Sequence, residues 1–189
     1  MKVESSLNAL LTSKTRAKLL SVFFTHVQDI FYVRQLVRIV GEEINSVRRE
    51  LANLKKHNIL LSEARGNRLY YRVNPKHHLF NSLLLMAYRN SDLAIKLGKS
   101  RAVLASVSFL LWQQKKPDAI DLIVIGNLPL REVEAAVSAE EKRRNAEINY
   151  MIMDQAELKM RQSKRDPFIV DFFLSAPLVI IGNPVLFDN

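Results

Sequence analysis

The stretch from Phe31 to Val73 constrains this fold most: two helical apolar periodicities meet across one glycine and run into a two-stranded pattern. From about Val33 to Val40, residues Leu36, Val37 and Val40 recur at helical spacing. Gly41 follows, where a left-handed C-terminal cap belongs. A further helix is expected over 44–57, with Ile44, Val47, Leu51 and Leu54 in one inward sector at about 100° per residue. Leu60–Arg65 and Arg68–Val73 read as paired strands, and Gly66–Asn67 can supply the positive φ angles of a tight turn. Pro75 closes the unit. Upstream, Ser13 precedes Ala17, Leu19, Leu20, Val22 and Phe23, which predicts a first helix to about His26. Gln28–Asp29 break it, and Phe31–Tyr32 is expected to be a short strand.

The other side of the 44–57 helix is polar. Asn45, Ser46, Arg49, Asn53 and Lys56 fall opposite the apolar sector, with Arg48 and Lys55 on a flank. A solvated helix face would use the same residue types. The hairpin tips the balance, because Arg65, Arg68 and Arg72 flank its Gly66–Asn67 turn and Glu63 is its one acid. This is the layout of a winged helix-turn-helix unit, with a recognition helix at about 44–57 and a wing at about 60–73. Arg and Asn can each meet a base edge with two hydrogen bonds, so Asn45, Ser46 and Arg49, near the end that enters a major groove deepest, are the candidate base contacts. Arg48, Lys55 and Lys56 are expected on phosphates, Asn53 on the same polar face, and Arg65, Asn67, Arg68 and Arg72 on backbone or minor groove.

The charge distribution agrees. Of a net +9, residues 1–78 hold 14 Lys/Arg against 6 Asp/Glu, and residues 79–189 hold 14 against 13. A field concentrated in one part attracts polyanions and releases their counterions. Absence of cysteine excludes disulfides, thiol catalysis and cysteine-held zinc. His26, His57, His77 and His78 share no ligand spacing, so neither a metal nor a cofactor is expected. No apolar run reaches the roughly 20 residues of a membrane span, and MKVESSLNALL lacks signal-peptide character. A cytoplasmic location without membrane contact is the expectation.

Residues 78–98 read as a linker helix, with Leu83, Met86, Asn90, Leu93 and Leu97 on one face suited to packing on the following domain or on a second subunit. Beyond it strand and helix alternate, which implies an α/β layer over 99–189. Strands are expected at Ala102–Leu110, Ile120–Ile125, Ile148–Met153 and Leu178–Ile181, and a helix from Pro129 to about Arg144. Asp154 with Glu157 forms a capping-box pattern, and Asp166–Pro167 opens a further helix. Trp112 and the cluster Phe168, Phe172 and Phe173 read most simply as core, or as the lining of a small-ligand groove.

SKTRAKLLSVFF, FYVRQLVRIVGEEINSVRRELANLKKHNIL and GNRLYYRVNPKHHLF resemble winged-helix regulators of the ArsR-like type. Together with IDLIVIG, EINYMIMDQAEL and DPFIVDFFLSAPLVIIG, they resemble the subgroup in which this module is fused to a small nucleotidyltransferase-like domain. An active member implies a Gly-Ser turn after the first strand to hold phosphates, and an Asp-x-Asp pair on the next strand to hold magnesium. This chain has SVSFLLWQQKK over 106–116, with no glycine between Gly98 and Gly126. Asp121 matches the second aspartate, Ala119 stands in place of the first, and Asn149, beside Glu147, occupies the later carboxylate position. Asp118 lies at odd spacing from Asp121 and falls on the other strand face. One carboxylate without a phosphate turn leaves little capacity for nucleotidyl transfer, so Asp121 is read as vestigial.

The expected fold is therefore α+β: a winged helix-turn-helix domain over 1–77, the linker helix, and a small α/β nucleotidyltransferase-like domain without catalysis. The expected function is sequence-specific recognition of double-stranded DNA as a transcriptional regulator, acting as a homodimer. The second domain is expected to serve dimerisation or a small-molecule or protein effector. The competing functions are a nucleotidyltransferase of toxin–antitoxin type with a winged-helix accessory, and a winged-helix module for protein interaction.

Overall fold

The computed structural model describes residues 13–113 and 116–183. Residues 1–11, read above for a signal peptide, and Gln114 and Lys115 of the 106–116 run lie outside the described residues. The fold is mixed α+β, and the chain divides into two compact units, Met1–Asn90 and Ser91–Asn189. None of the described helices is long and apolar enough to cross a membrane.

In the first unit, α1 (Lys14–Thr25) starts at Ser13, whose hydroxyl accepts the Arg16 N–H at 3.2 Å. Strand β1 (Phe31–Tyr32) leads directly into α2 (Val33–Val40), which ends at Gly41 in the left-handed region (φ 63°) as its position predicts. Helix α3 (Ile44–Lys56) follows, with His57 as its C-cap. Strands β2 (Leu60–Arg65) and β3 (Arg68–Val73) form the expected antiparallel hairpin. Gly66 alone of the turn pair takes a positive φ (57°); Asn67 does not, a pattern of signs that fits a type II′ turn. Strand β1 adds to β3, giving the order β1-β3-β2 and pairing Tyr32 with Tyr70. The core gathers Leu19, Phe23, Leu36, Val47, Leu51 and Leu60. Phe23 meets Phe31 edge-to-face at 5.4 Å.

The 78–98 segment is not one helix. It forms α4 (Phe80–Arg89) in the first unit and α5 (Asp92–Lys96) in the second. Asn90 ends α4 by bonding back to the Met86 carbonyl at 2.8 Å, and the Ser91 hydroxyl caps α5 through the Ala94 N–H. Helix α4 packs on α1, with Phe80 5.8 Å from Phe24. Its buried face is Leu84, Ala87 and Tyr88; Leu83 and Met86 are half-buried. Two adjacent caps in mid-pattern outweighed an apolar periodicity that continues through them.

The second unit holds a mixed sheet in the order β6-β5-β4-β7. Its strands are β4 (Ala102–Ala105), β5 (Leu122–Ile125), β6 (Tyr150–Met153) and β7 (Leu178–Ile181). Strand β5 runs parallel to β6, and β4 is antiparallel to β5 and β7. The strand expected to reach Leu110 stops at Ala105. Ser106 accepts the Phe109 N–H at 3.2 Å and opens the single turn α6 (Val107–Leu110). A continuous apolar run does not distinguish strand from helix, and the cap decides. Helices α7 (Leu130–Arg144), α8 (Gln155–Ser163) and α9 (Pro167–Leu174) complete the unit. Asp154 caps α8 through the Glu157 N–H at 2.7 Å, while the Glu157 carboxylate turns to Arg161 rather than back into a capping box. Ala102, Leu104, Ile123, Ile125 and Met153 on one sheet face meet Leu158, Ile169 and Phe172. Phe168, expected in the core, is 52% exposed, since it falls on the outer side of α9 while Phe172 is buried.

Gly182 and Gly66 separate two costs of a side chain. Both have positive φ, but a Cβ at Gly182 would lie 2.6 Å from the Arg101 carbonyl oxygen, whereas one at Gly66 meets open space. Gly66→Ala should cost about 1 kcal/mol of backbone strain, and Gly182→Ala several times that from added collision, read by urea unfolding.

Candidate nucleic-acid interface

The polar face of α3 rests on an anchor inside the first unit. Glu50 is 4% exposed and accepts from the Arg16 Nε at 2.8 Å, joining α3 to α1. Burial works to raise this carboxyl, but hydrogen bonds from Ser13 and Arg16 and the charges of Arg16 and Arg49 outweigh it and hold it below the usual carboxylate value of 4.5. A second tie runs from the Lys18 Nζ to the Val40 carbonyl at 2.8 Å and to Glu42 at 2.6 Å, which fixes the turn between α2 and α3. Glu43 is the N-cap of α3, its carboxylate accepting the Asn45 and Ser46 N–H groups at 2.8 and 2.9 Å. Those two bonds, ahead of the opposing desolvation, hold the Glu43 carboxyl low.

On this frame the outward residues of α3 are Asn45, Arg48, Arg49, Lys55 and Lys56, all exposed, with Ser46 and Asn53 half-buried. Ile44 is half-buried rather than core, and Glu50, the one acid of the helix, takes a core position instead. The exposed face of α3 thus carries no carboxylate along its length.

The hairpin residues divide by strand alternation. Tyr71 and Val73 point to the core, which leaves Arg68, Tyr70 and Arg72 on the outer face of β3. Arg68 stands over the Tyr32 ring at 5.0 Å, Tyr32 meets Tyr70 edge-on at 5.8 Å, and Arg65 stands 5.6 Å from Tyr70. Arg65 also pairs with Glu63 at 3.0 Å, so part of its charge is spent within the wing. Arg48, Asn67 and Arg68 come together on one cleft of about 530 Å3, which Tyr32 and two further arginines, Arg34 and Arg38, also line. Sequence reasoning missed Arg34, Arg38, Tyr32 and Tyr70. Their signals were present: Arg34 and Arg38 stand one turn apart on α2, and Arg68, Tyr70 and Arg72 occupy alternate strand positions.

In the second unit Asp121 is 2% exposed. Its carboxylate accepts the Asn149 N–H at 2.8 Å, and its own N–H donates to the Asn149 carbonyl at 2.7 Å. The Asn149 side chain donates to the Pro117 and Ala119 carbonyls at 2.6 and 3.0 Å. Together they stitch the entry of β5 to the entry of β6, which is structural work. Trp112 is half-exposed rather than core and takes a positive φ of 54°. Arg143 and Arg144 stand 5.2 and 4.7 Å from its ring. Arg144 is itself buried, paired with Glu140 at 2.6 Å, and donates to the Phe109 carbonyl. Trp112, Phe109, Arg144 and Asp121 line a cavity of about 340 Å3, and Phe168 and Phe172 line another of about 600 Å3. Among the described residues, no group of three or more His, Asp or Glu is gathered in a way that could hold a metal.

Because the Glu50 pKa is depressed in the folded state, its stabilisation is present above about pH 4.5 and lost as pH falls through the folded value. Glu50→Gln should lower stability by about 2 kcal/mol at pH 7 and flatten the acid limb below pH 4.5, measured by urea unfolding across pH. No family model matches the chain, and no curated protein and no solved structure is found to match it.

Proposed function

We propose that the first unit is a winged helix-turn-helix of ArsR-like type that reads double-stranded DNA, and that the protein is a sequence-specific transcriptional regulator. The observation that carries this reading is the exposed, acid-free face of α3, with Asn45, Arg49 and Lys56 projecting from a helix fixed by the Arg16–Glu50 pair. Asn45, Ser46 and Arg49 take base edges in the major groove, Asn53 extends the same face, and Arg48, Lys55 and Lys56 meet phosphates. The wing places Arg65, Asn67, Arg68 and Arg72 on the backbone or minor groove beside it. Glu43 gives the helix its cap but also a negative charge at its leading end, so it favours a register in which no phosphate approaches that end.

The second unit is read as a nucleotidyltransferase-like domain without catalysis, serving dimerisation or an effector. What supports this is the commitment of Asp121 to the Asn149 backbone and the lack of a Gly-Ser turn. Nucleotide with magnesium at millimolar concentration is expected to show no binding by calorimetry. Binding that Asp121→Ala abolishes without unfolding the protein would instead favour an enzyme.

Sheared genomic DNA selected on the purified protein at about 0.15 M salt should yield an enriched motif, two-fold symmetric if a homodimer binds paired half-sites. An asymmetric single site would count against the dimer, and uniform recovery against sequence-specific reading. On the recovered sequence, Arg49→Ala should cost roughly 1–3 kcal/mol and relax base preference. Lys56→Ala should weaken all sequences alike and flatten the salt dependence. An Arg49→Ala variant that binds duplex unchanged would point to a protein partner.

A further inference from the structure

The cleft lined by Arg34, Arg38, Arg48 and Arg68 has no carboxylate on its walls. Its guanidiniums come from three elements: α2 gives two, α3 one and β3 one. Arg34, Arg38 and Arg48 make no hydrogen bond or ion pair with any described residue, whereas Arg16, Lys18 and Arg65 each hold an acid. The two acids of the turn before α3 are engaged elsewhere, Glu42 with Lys18 and Glu43 with the first N–H groups of α3. Arg68 is set in place by the Tyr32 ring beneath it. A concave wall of like charge focuses its field, and among the described residues the Glu43 carboxylate at the start of α3 acts on Arg48 only through space, as the weaker part of its interactions.

We infer that this cleft is a seat for one backbone phosphate of the bound duplex, held jointly by arginines of both helices and the wing. The inference rests on the DNA reading above and extends it to Arg34 and Arg38. Planar guanidinium forks match phosphate oxygens two bonds at a time, so several can share one phosphate without competing for the same lone pairs. At about 530 Å3 the cleft has room for the sugars on either side as well. A shared phosphate makes a prediction that separate surface contacts do not: the arginines are energetically coupled.

The test uses the full chain and a fluorescein-labelled duplex of the sequence recovered by selection, read by anisotropy at about 0.1 M salt. Arg38→Gln and Arg48→Gln remove groups that make no hydrogen bond or ion pair with any described residue, Arg48 acting on Glu43 only through space. Each should weaken binding about three- to tenfold, and the double variant should lose clearly less than the product of the two. Arg131→Gln, on the exposed start of α7, is the control for net charge. Methylphosphonate scanning should find one phosphate per half-site whose neutralisation weakens the wild type clearly more than the double variant, which keeps Arg34 and Arg68 on it. Losses that multiply, with no common phosphate, would overturn the shared seat and leave the DNA reading intact. So would variants as tight as wild type when Arg49→Ala binds weakly. Polyglutamate binding that the double variant abolishes, with duplex binding unchanged, would assign the cleft to an acidic peptide and overturn the inference. Failure of the wild type to bind any duplex would overturn both.

Discussion

The pair between Arg16 and Glu50 is the contact on which the first unit's outer surface depends. Val47, Leu51 and Leu54 would bury themselves under any small rotation of α3 that kept them inside, because apolar burial is indifferent to direction. An ionised carboxylate held at 2.8 Å by a guanidinium from another helix is not indifferent. It converts a greasy helix face into one with a defined rotation, and so defines which residues face out. The Lys18 tie to Val40 and Glu42 does the same for the turn that aims α2 at α3.

The acids and bases of this unit follow one division of labour. Glu42, Glu43, Glu50 and Glu63 are each bound to a cation or a helix end within the fold. Arg34 and Arg38 of α2 and Arg48 on the flank of α3 make no hydrogen bond or ion pair with any described residue. A protein with the same composition could have cancelled these charges internally, so the surplus is a matter of placement and not only of number. In the second unit the opposite holds: Arg143 and Arg144 share the buried Glu140 and close on Trp112, so their charge serves packing.

Most of the first unit was legible in the sequence because its signals are local and agree with one another. Gly41, the spacing of Val47, Leu51 and Leu54, and the turn at Gly66 each carry a definite geometry. What the sequence hid was long-range. Glu50 reads as a surface charge until Arg16, 34 residues away, is seen beside it. Arg34 and Arg38 read as the solvated side of a short helix until the wing closes a cleft over them. The misreadings at Ser106 and at Asn90–Ser91 have one cause: hydrophobic period speaks for burial, while a single hydroxyl or amide decides where a helix starts or stops. Asp121 reads from the sequence as an isolated carboxylate, and only its bonds to Asn149, 28 residues away, make it a strand tether.

The position of Trp112 has a spectroscopic consequence. It is the one tryptophan of the chain and lies in the second unit, whereas Tyr32, Tyr70, Tyr71 and Tyr88 lie in the first. Indole emission excited at its red edge therefore reports the second unit alone, and with two guanidiniums over its ring it is sensitive to the state of the α7 terminus. Phenol signals are weighted four to one toward the first unit, since Tyr150 is the sole tyrosine beyond it. The two units thus carry separate intrinsic chromophores, and their melting can be followed independently in the unmodified chain.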